Sequence, residues 1–523
     1  MMPLFLVIVP SGLGVVTLLI RGERRRKIRR LLMIVGALAH AAGTGLLHVR
    51  PEEGSLWGLI EVDPLGLLFL TITSLLFLIA SVCSLGYFRH EYEKQETSPE
   101  GALRGRLHPA LPVEGGKSEP CSDAQQNRRF CGVQTARAPM IAEGVSHLYT
   151  PCMLFLLAAM TLTTVASHVG VLWIAIEATT IASAPLIFYH RHHRALEAAW
   201  KYLLICSVGI AIALLGIFFV IAAGKANLSD LSFSSMIAIA KSLDPRWFRV
   251  GFLLILVGFG TKMGLAPLHS WLPDAHSEAP SPVSALLSGA LLNCAFLGIL
   301  RFYQIACAAD LAGFAGRLLI LLGLTSLAVA AVFITGQRDY KRLLAYSSVE
   351  HMGIMALGIG LGASFGSLLH AVNHSLTKGL LFFTAGQILI AYRTKAVADV
   401  HGLLKTAPTT GILLLVGGLA IVGAPPFAPF ISEFLIFKEG LLRGHWIVCA
   451  LYLLFLGIIF VAMSRCFLGM VQGEQQELRE RSSRLMLLPP IGLAILVVVF
   501  GLYLPGPMVA FLKAAAGLIG GIS

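Results

Sequence analysis

Apolar runs of about 20 residues, separated by short polar connections, recur along almost the whole chain. A helix rises about 1.5 Å per residue, so about 20 apolar residues match the hydrocarbon core of a bilayer, roughly 30 Å thick. About fourteen segments have this character: 3–20, 31–49, 63–88, 148–166, 169–189, 199–223, 249–266, 282–302, 315–335, 343–362, 366–391, 409–437, 446–468 and 486–513. The pattern predicts an all-α polytopic membrane protein with about 14 transmembrane helices.

Composition favours the same class. Of the 523 residues, 56% are apolar and 13% are charged, and the mean hydropathy is +0.79. Soluble domains carry about 25% charged residues. Arginines, rather than a cleavage pattern, follow the first apolar segment, so we expect it to be an uncleaved helix.

The net charge of +12 is concentrated in alternate connections. The connection 50–62 is neutral to acidic, and 224–248 fits the alternation least well. The basic connections are 21–30, 191–194, 337–342, 392–395 and 479–484. The positive-inside rule places these in the cytoplasm and predicts a cell (plasma) membrane protein with both termini outside. This distribution argues against nucleic-acid binding.

Residues 91–147 break the apolar pattern, because they are rich in proline, glycine and charge. They contain Cys121 and Cys131, but a redox or metal site would need more cysteines, and the chain has no CxxC pair. We interpret this stretch as a polar cytoplasmic loop insertion. It follows N-terminal helices 1–3 in residues 1–90.

Ionisable residues within spanning segments are costly unless they face a bundle interior, water or a partner. Lys201 and Lys438 lie near helix ends and can reach the interface instead, and Glu350 can be an interfacial acid. For Glu177, Lys262, Lys378 and Glu433 we favour a function, because their flanks are apolar on both sides. The full set is Glu177, Lys201, Lys262, Glu350, His351, His370, His374, Lys378, Glu433 and Lys438.

Three of these residues are spaced four apart. His370, His374 and Lys378 lie on one stripe of a helix, about 12 Å long. Imidazole both donates and accepts protons, so the stripe suits proton relay. Zinc binding is the lesser alternative, because the histidines lack the glutamate of an HExxH motif.

Prolines interrupt two segments in similar ways. Pro267 follows Lys262, and Pro425 and Pro426 precede Glu433. Interrupted helices in two halves of a chain point to inverted-repeat transporters with a site near the breaks. The interrupted segments are the seventh and the twelfth, which suggests two inverted five-helix repeats, helices 4–8 (148–303) and 9–13 (314–470), before a C-terminal helix at 486–513. Lys262 would then lie in a hydrated polar axis, paired with Glu177.

Four stretches carry a resemblance to a known family: "KMGLAPLHSWLPDAHSEAPSPVSALLSG", "RDYKRLLAYSSVEHMG", "HAVNHSLTKGLLFF" and "APPFAPFISEFLI". They resemble the antiporter-like subunits of respiratory complex I, Mrp antiporters and membrane-bound [NiFe]-hydrogenases, over roughly 148–470. "LEAAWKYLLICSVGIA" and "GAPPFAPFISEFLI" are most similar to hydrogenase-4 component F and its relatives. The resemblance implies fourteen helices with two inverted five-helix repeats.

The resemblance also implies residue roles. Glu177 and Lys262 would form an ion pair whose separation drives a proton onward. Proton translocation would use Glu177, Lys201, Lys262, His351, His370, His374, Lys378 and Glu433. Asn293 stands where the family often has a lysine or histidine, and an amide does not exchange a proton at neutral pH. The path would cross that point through water, or the subunit would not conduct along its full axis.

No nucleophile–base pair, cofactor loop or cluster ligand set is evident, so we expect no cofactor in this chain and leave open whether it is to be called an enzyme. The resemblance implies partner subunits: other membrane subunits and a peripheral redox arm with iron–sulfur clusters and Ni–Fe or flavin and quinone chemistry. Three alternatives remain. The chain could belong to a Na⁺/H⁺ antiporter, or to an inorganic-carbon uptake complex with a soluble zinc protein. It could also be a haem-binding electron-transfer subunit using His351 and His374.

Overall fold

The computed structural model describes residues 1–20, 25–50, 54, 56–97, 147–224, 230–475 and 483–520. Their backbone is helical apart from turns, bends and four isolated β-bridges. The helices of ten or more residues are α1 (Met2–Leu19), α2 (Arg26–Val49), α3 (Pro64–Thr97), α4 (Tyr149–Val165), α5 (Val169–Ile187), α6 (His193–Ala223), α7 (Pro245–Met263), α8 (Ser281–Ala308), α9 (Ala312–Thr335), α10 (Tyr340–Gly360), α11 (Ser364–Tyr392), α12 (Pro408–Ile421), α13 (Ala428–Leu442), α14 (Trp446–Val471), α15 (Arg484–Leu502) and α16 (Gly506–Gly517). Shorter helices are Phe233–Ala238, Trp271–Glu278 and Leu403–Thr406.

Each of the fourteen predicted segments overlaps a helix, and the all-α polytopic fold is confirmed. The twelfth and fourteenth segments each overlap two helices, because α12 ends at Ile421 and α15 ends at Leu502, and another helix follows each end. Within the described residues, ten helices are long and apolar enough to cross a bilayer. The count of 14 and the two inverted repeats stay predictions.

Local signals set several helix ends. The Asp244 side chain accepts a hydrogen bond from the Arg246 amide, and Pro245 occupies the first turn of α7. Both features favour a helix start, because they satisfy or remove amides that have no partner there. The Asp339 side chain caps α10 by accepting from the Lys341 and Arg342 amides.

Helices α8 and α11 lie in the middle of the bundle. In the apolar 18-residue stretch of each helix, all residues of α8 and 89% of those of α11 are buried inside the protein. In α14 and in α15 only 22% are buried. Helix α11 carries two histidines and a lysine, yet it is almost wholly enclosed by other helices. This arrangement suits a bilayer, since lipid can cover apolar helices but not charged ones.

Contacts between connections define two sides of the bundle. On one side, isolated bridges join Ile60 to Ala166 and His168 to Ser232. On the other side, Asp339 pairs with Ala396, and the Gly402 amide donates to the Gln472 carbonyl at 2.8 Å. The second side contains the connections that the sequence predicts to be basic, and we call it the basic side.

Both ends of the described chain lie on the side opposite the basic side. Leu6 of α1 and Phe511 of α16 pack in one apolar cluster with Ile60 and Leu67. This agrees with the expectation that the two termini lie on the same side of the membrane. That this side is the outside stays a prediction.

The boundary of the polar insertion differs from the prediction. The backbone of α3 continues to Thr97, so residues 91–97 extend a helix and do not begin a loop. Residues 98–146, with Cys121 and Cys131, lie outside the described residues.

Candidate proton-transfer site

Two helix breaks frame the candidate site. Helix α7 ends at Met263, where Gly264 takes a left-handed conformation with φ +83°, and Pro267 lies in the turn that follows. The second break separates α12 from α13 and contains Gly423, with φ +69°, and Pro425 and Pro426. All three predicted break residues therefore lie in breaks between helices.

Lys262, in the last turn of α7, is buried with 1% of its surface exposed. Its Nζ donates to Tyr202 OH at 2.6 Å and to Thr180 Oγ1 at 2.7 Å, and it lies 4.6 Å from the centroid of the Tyr202 ring. Tyr202 OH also lies 2.6 Å from Ser183 Oγ. The ammonium group is thus held by hydroxyl groups and an aromatic face.

The expected ion pair between Lys262 and Glu177 is absent. Glu177, half-buried on α5, accepts a hydrogen bond from Ser207 Oγ at 2.7 Å, while its Oε2 is buried without a hydrogen-bond partner in the described part of the chain. The prediction of direct contact is wrong because side chains from α5 and α6, Thr180 and Tyr202, reach the ammonium first.

Lys201 does not lie in the buried axis. Its side chain is 44% exposed and pairs with Glu197 at 2.6 Å and with Asp274 at 3.1 Å. The position near the start of α6 on the basic side explains this placement, which matches the alternative of an interfacial lysine. Lys438 is likewise exposed, on α13.

Histidines of α10 and α11 meet directly. His351 Nδ1 lies 2.8 Å from His370 Nε2, and His351 Nε2 lies 3.1 Å from the Ile421 carbonyl. His370 Nδ1 lies 2.9 Å from Ser432 Oγ on α13. The Asn373 amide donates to the same hydroxyl at 3.2 Å, and all of these side chains are buried.

Lys378 ends the predicted stripe on α11. Its Nζ donates to the Leu344 carbonyl at 2.5 Å and makes a very short contact with Ser347 Oγ. Between the two ends, His374 is buried, and neither of its ring nitrogens makes a hydrogen bond of normal geometry within the described residues. The stripe predicted from spacing is therefore enclosed along its whole length.

Two acidic groups lie in the same interior. Glu433 on α13 is 7% exposed and lies against Gly423, where a Cβ atom would overlap its Oε2. Glu350 is 1% exposed, and its Oε2 has no hydrogen-bond partner among the described residues. Burial of Glu350 argues against the alternative of an interfacial acid.

One group of side chains could hold a metal ion. Donor atoms of His351, His370 and Glu433 all lie within 4.8 Å of one another. This is not the His370 and His374 pair that the spacing suggested. In the structure the first two rings are joined to each other by a hydrogen bond, with His351 Nδ1 2.8 Å from His370 Nε2.

The haem alternative has no support in the geometry. The rings of His351 and His374 pack against each other with centroids 5.1 Å apart and tilted by 43°. A haem would have to lie between two axial imidazoles, and here the rings are in contact. No porphyrin fits between them in this arrangement.

Asn293 connects the two halves of the interior. Its Nδ2 donates to Ser375 Oγ on α11 at 2.8 Å and to the Gly289 carbonyl at 2.9 Å, while its Oδ1 is buried without a partner in the described chain. Gly289 lies in a π-helical turn, Leu287–Leu291, and such turns are frequent at functional sites. Buried polar atoms left without a protein partner are the atoms that ordered waters pair with in proteins.

Charged residues on the basic side hold the short helix Trp271–Glu278 in place. Asp274 pairs with Lys201 and Arg342, and Glu278 pairs with Lys395 at 3.2 Å. Buried Lys341 donates to the Ala279 carbonyl at 2.6 Å. The segment after the first break is thereby tied to α6 and α10.

Sequence reasoning missed several residues of the interior. Hydroxyl groups give no signal of their own, because serine and threonine are common in membrane helices. His276 had a signal, since it stands in the polar turn after the broken helix, and it is buried with its ring stacked on Phe382 at 5.2 Å. The missed residues are Thr180, Ser183, Tyr202, Ser207, His276, Ser347, Asn373 and Ser432.

Comparison with known families identifies the chain. Residues 166–460 match the family described as "NADH:quinone oxidoreductase/Mrp antiporter, TM". The chain belongs to this family. The hydrogenase-4 component F homolog of Methylacidiphilum infernorum (isolate V4) is 38% identical over 391 residues, which cover 72% of this chain and 81% of that protein. Hydrogenase-4 component B of Escherichia coli (strain K12) is 34% identical, covering 49% of this chain and 40% of that protein.

Solved structures share the fold over almost the full length. A chain of the archaeal membrane-bound sulfane sulfur reductase superposes with a TM-score of 0.79 at 19% identity, covering 99% of this chain and 97% of that one. A chain of respiratory complex I from Thermus thermophilus superposes with a TM-score of 0.74 at 22% identity, covering 98% of this chain and 100% of that one. The resemblance read from the sequence is confirmed.

Proposed function

We propose that this chain is the proton-translocating membrane subunit of a multisubunit oxidoreductase, similar to complex I or to hydrogenase-4. The hydrogen bonds of His370 are the observation that carries this proposal. They form one chain that runs from the Ile421 carbonyl, through His351 and His370, to Ser432 beside the second helix break.

The direction of two hydrogen bonds follows from chemistry. A carbonyl oxygen only accepts, so His351 Nε2, facing the Ile421 carbonyl, carries a hydrogen. A neutral His351 then accepts at Nδ1 the hydrogen on His370 Nε2. His370 Nδ1 is left to accept or to donate, according to its protonation.

Ser432 accommodates both protonation states of His370. Its hydroxyl lies 2.9 Å from His370 Nδ1 and 2.9 Å from the Pro429 carbonyl. When His370 is neutral, the hydroxyl donates to Nδ1. When His370 takes a second proton, Nδ1 donates to the hydroxyl oxygen, and the serine hydrogen turns to Pro429. His370 can therefore take up or release a second proton at Nδ1 without movement of heavy atoms.

The remaining ionisable residues lie along the same interior. Lys378 lies two turns along α11 from His370, with His374 between them, and Glu433 lies at the Ser432 end. Lys262 and Glu177 occupy the first half, and water at Asn293 would join the halves. The described interior contains histidines and lysines, which exchange protons, beside the hydroxyl oxygens, and this favours protons over Na⁺.

We further propose the setting of the subunit. It would lie in the plasma membrane with both termini outside, beside other membrane subunits and a peripheral redox arm. Iron–sulfur clusters and Ni–Fe or flavin and quinone chemistry would belong to that arm. The name of the relative from Methylacidiphilum infernorum and the strongly basic side support this setting.

The variant His370→Gln tests the proposal. Glutamine keeps a donor and an acceptor but does not carry a proton. In inverted membrane vesicles energised with NADH or with H₂, we expect redox-driven acidification, measured with a pH-sensitive dye, to fall about tenfold or more. His445→Gln, on an exposed histidine at the start of α14, should pump like the wild type.

Two outcomes would contradict the proposal. One is wild-type pumping per electron by the His370→Gln complex, assembled in normal amounts. The other is proton movement in the wild type that responds to an imposed Na⁺ gradient and not to either electron donor, which would assign the subunit to secondary antiport.

A further inference from the structure

His276 is a buried histidine outside the hydrogen-bond chain of His351 and His370. It lies in the short helix Trp271–Glu278, and none of its surface is exposed. The Ser284 backbone lies near the ring, but neither ring nitrogen makes a hydrogen bond of normal geometry within the described residues. Most buried polar side-chain atoms in proteins have a partner, so this ring calls for an explanation.

The His276 ring prolongs the stripe of α11 toward the basic side. The stripe consists of His370, His374 and Lys378, and the next position at the same spacing is Phe382. The His276 ring stacks on the Phe382 ring, with centroids 5.2 Å apart and an angle of 20° between the planes. Helix α11 runs toward the basic side in this direction. The short helix therefore supplies an imidazole about one turn beyond Lys378.

Two lysines act electrostatically on the His276 ring, and they lie at different depths. Lys378 Nζ donates to the Leu344 carbonyl on α10 at 2.5 Å, and Lys341 Nζ donates to the Ala279 carbonyl at 2.6 Å. Helix α10 begins on the basic side, and Lys341 precedes Leu344 by three residues, which is about 4.5 Å along the helix axis. The ring is thus within electrostatic range of the lysine that ends the stripe and of a lysine nearer the basic side.

Groups that reach the surface of the basic side follow His276 directly. The side chain of Glu278, two residues later, is 13% exposed and pairs with Lys395 and with His192 at 3.2 Å each. The His192 side chain is 49% exposed. Carboxylate and imidazole groups take up protons from water and release them again. The short helix therefore joins a proton-exchanging surface to the buried ring.

We propose that His276 is the residue through which protons from the basic side enter the stripe of α11. This inference rests on the proposed function. One ring nitrogen gains a proton, the other releases its proton to the neutral Lys378 amine, and exchange with water restores the first tautomer. Water paired with the ring nitrogens of His276 and His374, which have no hydrogen bond of normal geometry in the described chain, carries the proton to Lys378.

The surroundings of the ring define what a test must separate. Both acids of the short helix, one residue of α10 and two of α11 provide the charged and titratable groups around the ring: Asp274, Glu278, Lys341, His374 and Lys378. A ring that only fills space among them would affect pumping equally at every pH. A ring that passes protons matters most where protons are scarce.

Acidification of inverted vesicles tests this entry, because the basic side, predicted to be cytoplasmic, faces the medium there. For His276→Gln we expect the rate, relative to wild type at the same pH, to fall about tenfold at about pH 8 and less than about threefold at about pH 6. Protons must then come straight from the medium, which holds fewer of them at the higher pH. His269→Gln is the matched control, because His269 lies in the same segment, is 9% exposed and packs near Tyr346 at 6.2 Å. It should match the wild type at both pH values.

A second variant serves if His276→Gln does not assemble. Phe382→Leu stays apolar but removes the ring on which His276 stacks, and we expect a loss of about threefold at about pH 8 that shrinks at about pH 6. Wild-type rates in the variant that assembles, or an equal loss at both pH values, would overturn the inference.

The variant His370→Gln keeps this inference separate from the proposed function. Normal pumping by His370→Gln contradicts the proposed function itself. Loss of pumping in His370→Gln beside wild-type rates in His276→Gln leaves the proposed function in place and contradicts only the entry at His276.

Discussion

Asp63 and Arg301 form a two-pronged ion pair at the end of the bundle opposite the basic side. Arg301 Nη1 and Nη2 donate to the two Asp63 oxygens at 2.6 and 2.7 Å, and the Gly66 amide donates to Asp63 Oδ1 at 2.8 Å. Burial alone would raise the pKa of the Asp63 carboxyl, but Arg301 and Gly66 outweigh it and lower the pKa below its ordinary value of 3.8. The pair joins the start of α3 to α8.

Asp63→Asn should lower the stability of the chain at neutral pH by about 2 kcal/mol, because it removes the charge that Arg301 faces. A carboxyl whose folded pKa is depressed stabilises the fold above its unfolded pKa, near 3.8, and this contribution is lost as the pH falls through the lower folded value. The gap between the melting temperatures of wild type and variant should therefore narrow below about pH 4.

The matched control is Asp310→Asn, at an exposed residue with a left-handed backbone that asparagine tolerates. Its melting temperature should follow that of the wild type at all pH values. If the melting temperatures of wild type and Asp63→Asn differ by the same amount from pH 7 down to pH 3, the ionised Asp63 carboxylate does not stabilise the fold.

Single residues also show what the sequence can reveal. Lys262, His370 and Lys378 could be predicted as buried, because an ionisable group within an apolar run has few other places to go. Their partners could not be predicted. Tyr202 and Ser432 are ordinary residues until the packing of four helices brings them to the ammonium and the imidazole.

At the scale of elements, helices α6 and α7 cross at glycines. A Cβ atom on Gly258 would overlap the Gly209 carbonyl and lie 2.6 Å from Ala213 Cβ. Small residues let membrane helices approach closely, and van der Waals packing then holds them together. This crossing sets the position of Tyr202 on α6 relative to Lys262 on α7. The Lys262 Nζ donates to Tyr202 OH at 2.6 Å.

Gly258→Ala should therefore cost about 1–3 kcal/mol, since both backbones resist displacement. Thermal unfolding of the purified complex measures the effect. Gly457→Ala on α14 is the control, because a Cβ atom there meets nothing within 4 Å. Equal melting temperatures for the two variants would show that α6 and α7 can separate without loss.

The prolines predict where the helices break, but they do not predict which contacts the segments after the breaks make. Pro267 and Pro425 mark the positions where α7 and α12 give way to other segments. The sequence does not show that Asp274 and Glu278 then tie the short helix to Lys201 and Lys395. Such ties depend on which connections meet on the basic side.

In the whole molecule, exposed apolar helices surround the enclosed helices α8 and α11. Hydropathy predicts which segments enter the bilayer. It does not predict which of these helices lie inside the bundle and which face the lipid. Helix α11 has a lower hydropathy than α14, yet it is the buried one. Its histidines and lysine explain this, because lipid does not solvate them and neighbouring helices do.

The sidedness of the bundle leads to the last prediction. Connections on the basic side carry Arg191, Arg338 and Lys395, and the chain ends lie on the opposite side with Asp63. Positive connections stay in the cytoplasm, so both termini should face outward. Alkaline phosphatase fused after the last residue should be active, and green fluorescent protein there should be dark.

The same reporters placed after residue 475, in the connection between α14 and α15, should give the reverse result, because only α15 lies between that connection and the opposite side. Reversed signals at both positions would mean that the basic side faces outward, against the charge rule. Identical signals at the two positions would mean that α15 does not cross the membrane.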